Sequence, residues 1–565
     1  MKRFIFTLFL FLPILMFGNE LADLNAQKFG ILTLIPPVVA ITLAFITKDV
    51  IFSLFIGVFS GTFMMFIAQD NIFSAFIKGF VNVCNRMVHS MADPWNAGII
   101  LQVLAIGGVV ALITRMGGTK AVAEWLAKRA KNHKSSQIST WLMGLFVFFD
   151  DYANALIVGP VMRPVTDKFK VSREKLAFII DATAAPISGI AIISTWIGYE
   201  LSVIKSSYEI IGMTDVNAFA IFLETLPYRF YNIFMIIFVF ATAITAREFG
   251  PMYKAELRAR TTGITTSKNN IKMDDIEDKS ILPKAGIKLQ TSNAIIPILV
   301  LMFGAILGFY LNGLGALDGE ILEQVKADPF SLFALRETFG NADASVVLFQ
   351  AALFATVVAI FMGVYRKIFT ISEAISVWAK GWKTMIITII ILLLAWSLSS
   401  IIKDLGTSRY LVGILSDSVP LWVLPTTIFI LGSFISFSTG TSYGTMGILM
   451  PLAIPLAFAI GGYNGLTEHA LHSYMIINIG SVLTGAIFGD HCSPISDTTI
   501  LSSMGAGCNH IDHVSTQMPY ALLIGAISIL IGYLPVSFGL PVVFSLALGV
   551  IFIFIILRTI GKKVE

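Results

Sequence analysis

Long apolar runs separated by short polar ones dominate the chain. Runs long enough for a helix to cross a membrane fall near 31–47, 50–68, 96–114, 176–200, 229–246, 293–311, 345–364, 384–402, 474–503, 519–535 and 540–558. Two further apolar segments, near 138–164 and 421–457, differ in kind. They carry clustered polar residues and prolines at mid-depth, which suits hairpins that enter and leave on one side. Shorter amphipathic stretches near 72–90, 118–132 and 371–382 have the pattern of interfacial helices. The expected fold is an all-α polytopic membrane protein with about 11 spanning helices.

Loop charge orients these segments. Arg115, Lys120, Lys128, Arg129, Lys131 and Lys134 follow the third span and place that loop in the cytoplasm. Arg163, Lys168, Lys170, Arg173 and Lys175 follow the first hairpin and do the same, so both its ends lie on one side. The linker at 247–291 is basic on balance (Arg258, Arg260, Lys284, Lys288), whereas the loop near 312–344 is acidic (Asp318, Glu320, Glu323, Asp328) and should face outward. Arg558, Lys562 and Lys563 put the C-terminus inside, and the bacterial inner membrane is the expected location. Residues 1–20 begin with Lys2 and Arg3, then run apolar from Phe4 to Phe17 with Pro13 between, reading as a signal peptide or an uncleaved first helix. The expected division is a first membrane repeat at 21–246, a cytoplasmic linker at 247–291 and a second repeat at 292–565.

The halves resemble each other. Gly118-Thr119 and Gly406-Thr407 follow spans that begin near Trp95 and Trp382. The first hairpin reads Asp150-Asp151-Tyr152 and ends in Pro160 and Pro164. The second reads Thr441-Ser442-Tyr443 and ends in Pro451 and Pro455. Setting Tyr152 on Tyr443 brings both proline pairs into register without a gap. Pro186-Ile187-Ser188 then matches Pro494-Ile495-Ser496, and Ser194 meets Ser502. An odd number of spans separates matching points, which makes the repeats inverted. Inverted repeats with re-entrant hairpins and broken helices are the architecture of secondary transporters.

Composition narrows the class further. The 565 residues are 56% hydrophobic and only 13% charged, too little charge for the surface of a soluble globule of this size. The net charge of +4 is spread among loops with no basic run interleaved with aromatics, so nucleic acid is not an expected partner. Cys84, Cys492 and Cys508 make no disulfide framework, and no cofactor is implied. The run Cys508-Asn509-His510-Ile511-Asp512-His513 fits no common zinc spacing.

The polar residues inside apolar segments carry the chemistry. Asp150 and Asp151 sit within the first hairpin, which has no Lys or Arg before Arg163 at its end, and Asn154 lies one turn on. A carboxylate at that depth must be paired, protonated or bound to a cation. The second cluster is Asp490, His491, Ser493, Ser496, Asp497 and Thr498 around Pro494, which breaks the helix and frees carbonyls. Its hard oxygens suit sodium. Thr441, Ser442 and Thr445 of the second hairpin add neutral oxygens. In the first half, Asp181 and Thr183 precede the matching break at Pro186.

At these residues the sequence resembles the NhaC family of sodium/proton antiporters. The stretches that carry the likeness are FFDDYANALIVGPVMRPVTD at 148–167, FSTGTSYGTMGILMPLAIP at 437–455 and GDHCSPISDTTILSS at 489–503, with NHIDHVSTQMPYA after it. The resemblance implies sodium and protons as partners, exchanged through intramembrane carboxylates, or an organic acid of the malate or lactate type, or an amino acid, moved with those ions. It also implies membrane lipid around the chain and leaves a homodimer open. No intramembrane arginine stands out as a clamp for an organic carboxylate, which favours the inorganic reading. An intramembrane enzyme built on Asp490, His491 and Cys492 is the rival from another class, and a repeat that opens to both sides argues against it.

Overall fold

The computed structural model describes residues 20–564 apart from 48, 69, 268–282, 284–285, 408 and 411–418. The expected signal peptide or first helix at residues 1–20, apart from Glu20, and the middle of the linker therefore lie outside the described residues. Ten of the described helices are long and apolar enough to cross a membrane, and an eleventh if Ala218–Tyr228 and Phe230–Thr245, bent by 48°, count as one span. The chain is a nearly all-helical multi-pass membrane protein. Burial sorts the helices into layers: the apolar windows of Val542–Thr559 and Ala22–Ala44 are 22% buried, whereas that of Ser442–Tyr463 is 83% buried. The first two present their sides to lipid; the last is core.

The first hairpin consists of α1 (His133–Phe146) and α2 (Asp151–Lys168). After it comes α3 (Arg173–Ala182), a broken stretch over 183–196 containing one short turn at Ala185–Ser188, and α4 (Ile197–Ile210). The expected span at 176–200 is thus interrupted, and α5 (Phe230–Thr245) closes the half. In the second half, α6 (Ile386–Asp404) precedes a hairpin of α7 (Val423–Thr439) and α8 (Ser442–Tyr463). Next come α9 (Glu468–Cys492), a short break at 493–496, α10 (Asp497–Ala506) and α11 (His510–Ile527).

The repeat holds at the level of single caps. Aligning Tyr152 with Tyr443 aligns Asp150 with Thr441, and these are the N-caps of α2 and α8, both extended and both accepting a backbone N–H. It fails downstream, because Ser194 lies in the irregular stretch before α4 while Ser502 lies inside α10. The first break is the longer one.

Contacts between loops divide the helix ends into two faces. Strand β1 (Arg247–Glu248) pairs antiparallel with β2 (Lys562–Lys563), so the C-terminus and the start of the linker share a face. Lys134 donates to Ile244 O, Arg173 N to Thr265 O and Arg173 Nη1 to Gly507 O on that same face. On the other, Asn217 bonds Phe339 O at 3.3 Å, and Tyr474 bonds Leu421 O at 2.9 Å. The first hairpin opens toward the basic face and the second toward the acidic one. The halves are inverted.

Candidate functional site

Four interruptions in the helices meet in the core: the tips of the two hairpins and the two breaks. Break one holds tip one, through Thr195 N donating to Phe149 O at 3.0 Å and Ser188 Oγ to Phe148 O at 3.2 Å. Its end then reaches tip two, where the rings of Trp196 and Tyr199 lie 4.8 Å and 4.7 Å from Tyr443 and the Tyr199 hydroxyl donates to Tyr443 O. Break two holds tip two, with Ser493 Oγ donating to Phe437 O at 2.7 Å. Finally the Tyr152 hydroxyl of tip one donates to Asp497 Oδ2 at 3.4 Å, which closes the ring. Glycines permit this closeness. A Cβ on Gly440 would sit 2.6 Å from Ile495 O, and one on Gly159 only 2.4 Å from the carbonyl carbon of Gly505, where α2 crosses α10.

Into this ring the fold places Asp150, Asp151 and Asp490, which are 4%, 3% and 5% exposed. Asp150 accepts from Ala153 N at 2.7 Å and so spends one oxygen capping α2. Asp490 comes from the end of α9 but serves the start of α8: its Oδ2 accepts from Ser442 Oγ at 2.7 Å and Ser442 N at 3.3 Å. Asp151 lies within electrostatic reach of both Asp150 and Asp490. Helix N-termini carry about half a positive charge, which offsets part of this acidity. Among the described residues none of the three forms an ion pair with Lys or Arg. Asp497, at the first turn of α10, is exposed and marks the accessible edge of the cluster.

The other expected residues divide. Thr441 caps α8, and Thr445 Oγ1 turns back onto Thr441 O at 3.0 Å. Ser496 and Thr498 pair at 2.9 Å beside Asp490. Asn154 is a brace: its amide donates to Gly144 O at 2.9 Å and Thr183 O at 2.7 Å, tying the hairpin to the end of α3. His491 turns away from the carboxylates, because its Nδ1 meets the Tyr231 hydroxyl of α5 at 2.7 Å.

Two features of the core escaped the sequence reading. Arg229, fully buried, pairs with Glu200 at 2.7 Å and donates to Gly189 O of break one at 3.2 Å. The chain therefore has a buried arginine, but a carboxylate of its own already neutralises it. It stands at the edge of the apolar run near 229–246, where the sequence alone does not separate a buried arginine from an interfacial one. The second feature is a polar cavity of about 260 Å³ between α4 and α6, lined by Trp95, Ser202, Lys205, Glu209, Trp396 and Lys403 among others. Ser202 lies about one helical turn beyond Tyr199, so the cavity approaches the ring from the acidic face.

Inverted halves, each with a hairpin and a broken helix around a buried polar centre, make this a secondary transporter by construction. The sequence matches the Na+/H+ antiporter family over residues 189–538, and the chain belongs to that family. It is a secondary antiporter, as the likeness to NhaC proteins implied. An uncharacterized protein of Haemophilus influenzae is 33% identical over 546 residues, 96% of this chain and 97% of its own length. A shorter match, 32% identical over 120 residues, covers 20% of this chain and 22% of an uncharacterized Na(+)/H(+) antiporter of the same organism. The malate-2H(+)/Na(+)-lactate antiporter of Bacillus subtilis is 35% identical over 89 residues, 16% of this chain and 17% of that one.

Proposed function

We propose that the chain exchanges sodium for protons across the bacterial inner membrane, with its basic face and C-terminus in the cytoplasm. One observation carries the reading: Asp150, Asp151 and Asp490 are gathered in a buried ring with no basic partner among the described residues. Buried carboxylates of this kind need a proton or a cation, and two of them side by side need it more. Sodium and protons then compete for the same oxygens, and competition alone produces exchange. The hydroxyls of Ser442, Ser496 and Thr498 supply the neutral ligands that a hard cation prefers. Asp497 lies where an ion would first meet the cluster.

The test is sodium-induced pH change in sealed proteoliposomes. Sodium alone should move protons, and Asp150→Asn or Asp151→Asn should abolish that movement in protein that still inserts. Full activity in both variants would remove the carboxylate pair from the mechanism.

A second reading is favoured by the polar cavity. Lys205 and Lys403 form no ion pair there among the described residues, and Glu209 stands near both. Such a chamber suits a small organic acid travelling with the ions, and the Bacillus subtilis relative is named for malate and lactate. Proton movement that appears only after malate, lactate or an amino acid is added would promote it.

A further inference from the structure

The run from Cys508 to His513 has no part in the carboxylate ring, yet its histidines join a buried hydrogen-bonded chain. His510, half-buried at the start of α11 on the basic face, sets its Nε2 2.6 Å from Pro494 O and its Nδ1 3.1 Å from Ser503 Oγ. Ser503 Oγ is also 2.7 Å from His513 Nδ1. His513 Nε2 faces Gln517 Oε1 at 2.9 Å and Asp181 Oδ2 at 3.8 Å. Gln517 Nε2 donates to Asp181 Oδ2 at 2.7 Å and to His491 O. Asp181, fully buried, lies within electrostatic reach of Asp490.

Counting hydrogens along this chain leaves it one short. Because His491 O can only accept, the Gln517 amide is fixed with its oxygen toward His513, which must then carry its hydrogen on Nε2. Pro494 O likewise fixes the hydrogen of His510 on Nε2. Both Nδ1 atoms are then acceptors, and both face Ser503. That hydroxyl has a single hydrogen, for which Thr499 O at 2.7 Å also competes. Moving either ring hydrogen only sets a bare nitrogen against a carbonyl. One added proton, on His510 Nδ1, resolves the conflict: His510 donates to Ser503, and Ser503 donates to His513.

We infer that Ser503, His510, His513 and Asp181 form a proton-loading path from the basic face to the carboxylates, separate from the route of sodium. This rests on the sodium/proton reading. A proton taken by His510 Nδ1 passes to Ser503 Oγ as the hydroxyl hydrogen passes to His513 Nδ1. His513 then releases its Nε2 hydrogen to Asp181, and one proton has entered for one delivered. The chain is ready for a second proton once the His513 hydrogen has shifted from Nδ1 back to Nε2, an exchange of tautomers. The titratable groups facing it are Asp181 on α3 and His491 on α9, and the guanidinium groups of Arg163 and Arg173 approach Gly507, whereas Asp512 on α11 accepts from Ser267 of the linker.

The experiment measures sodium binding and sodium-driven proton movement on the same purified full-length protein, across pH. In Ser503→Ala and His513→Gln, proton movement should fall about 100-fold, the low end of what a positioned proton carrier contributes, while sodium still binds. Ser503→Thr, which keeps the hydroxyl, should recover part of the rate. An unchanged rate and pH profile in both disabling variants overturns the path, as does loss of sodium binding in step with rate, which would mean a structural role. A wild-type protein that moves no protons under sodium defeats the sodium/proton reading itself, and the path falls with it.

Discussion

Removing one hydroxyl should move the whole pH profile of exchange. In Ser442→Ala, Asp490 Oδ2 loses the 2.7 Å bond from Oγ and keeps the 3.3 Å bond from the backbone N–H. A hydrogen bond to a charged acceptor contributes about 1.5–3 kcal/mol. That donor favours the ionised carboxylate, so without it a proton competes better against sodium. At about 1.4 kcal/mol per pH unit, half-maximal exchange should shift one to two units toward alkaline pH. At a fixed neutral pH the same change reads as a roughly tenfold to hundredfold higher sodium requirement. The assay is the initial rate of sodium-induced proton movement in proteoliposomes, repeated over sodium concentration and pH. If Ser442 acts only through proton competition, its sodium requirement returns to the wild-type value at alkaline pH. A deficit that persists there makes Ser442 a sodium ligand as well. An unchanged requirement at every pH would refute the assignment of Asp490 to the exchange site.

Other outcomes follow from packing and topology. Gly159→Ala drives a methyl against Gly505 backbone that cannot move aside, so α2 should part from α10 with a loss of about 1–3 kcal/mol, read as a lower melting temperature in detergent. Arg229→Met alone strands Glu200 and should cost about 3–5 kcal/mol, whereas the double change with Glu200→Leu should be far milder; equal losses would deny that the pair acts as a unit. Cysteines placed at Thr265 and Glu320 should label from opposite sides of the membrane, and labelling from one side would remove the inverted arrangement.

Much of this architecture is local, and local chemistry is legible in a sequence. The alignment of Tyr152 with Tyr443 sets Asp150 against Thr441, and the structure makes both of them N-caps, a role that depends only on the few residues that follow. Proline breaks at Pro186 and Pro494 are local too, and loop charge placed Thr265 and Arg173 on the face where a backbone bond joins them. Tertiary structure alone decided the partners. It set Asp490 against Ser442, 48 positions away, turned His491 toward Tyr231, made Asn154 a brace and gave Arg229 to Glu200. It also lengthened the first break, so that Ser194 and Ser502 lost their equivalence. Apolar periodicity says which face of a helix is buried but not what covers it. In lipid, where every helix offers similar apolar sides, close packing at small residues selects the neighbour. Here the backbone contact of Gly159 with Gly505 does so, and no pattern along one helix contains it.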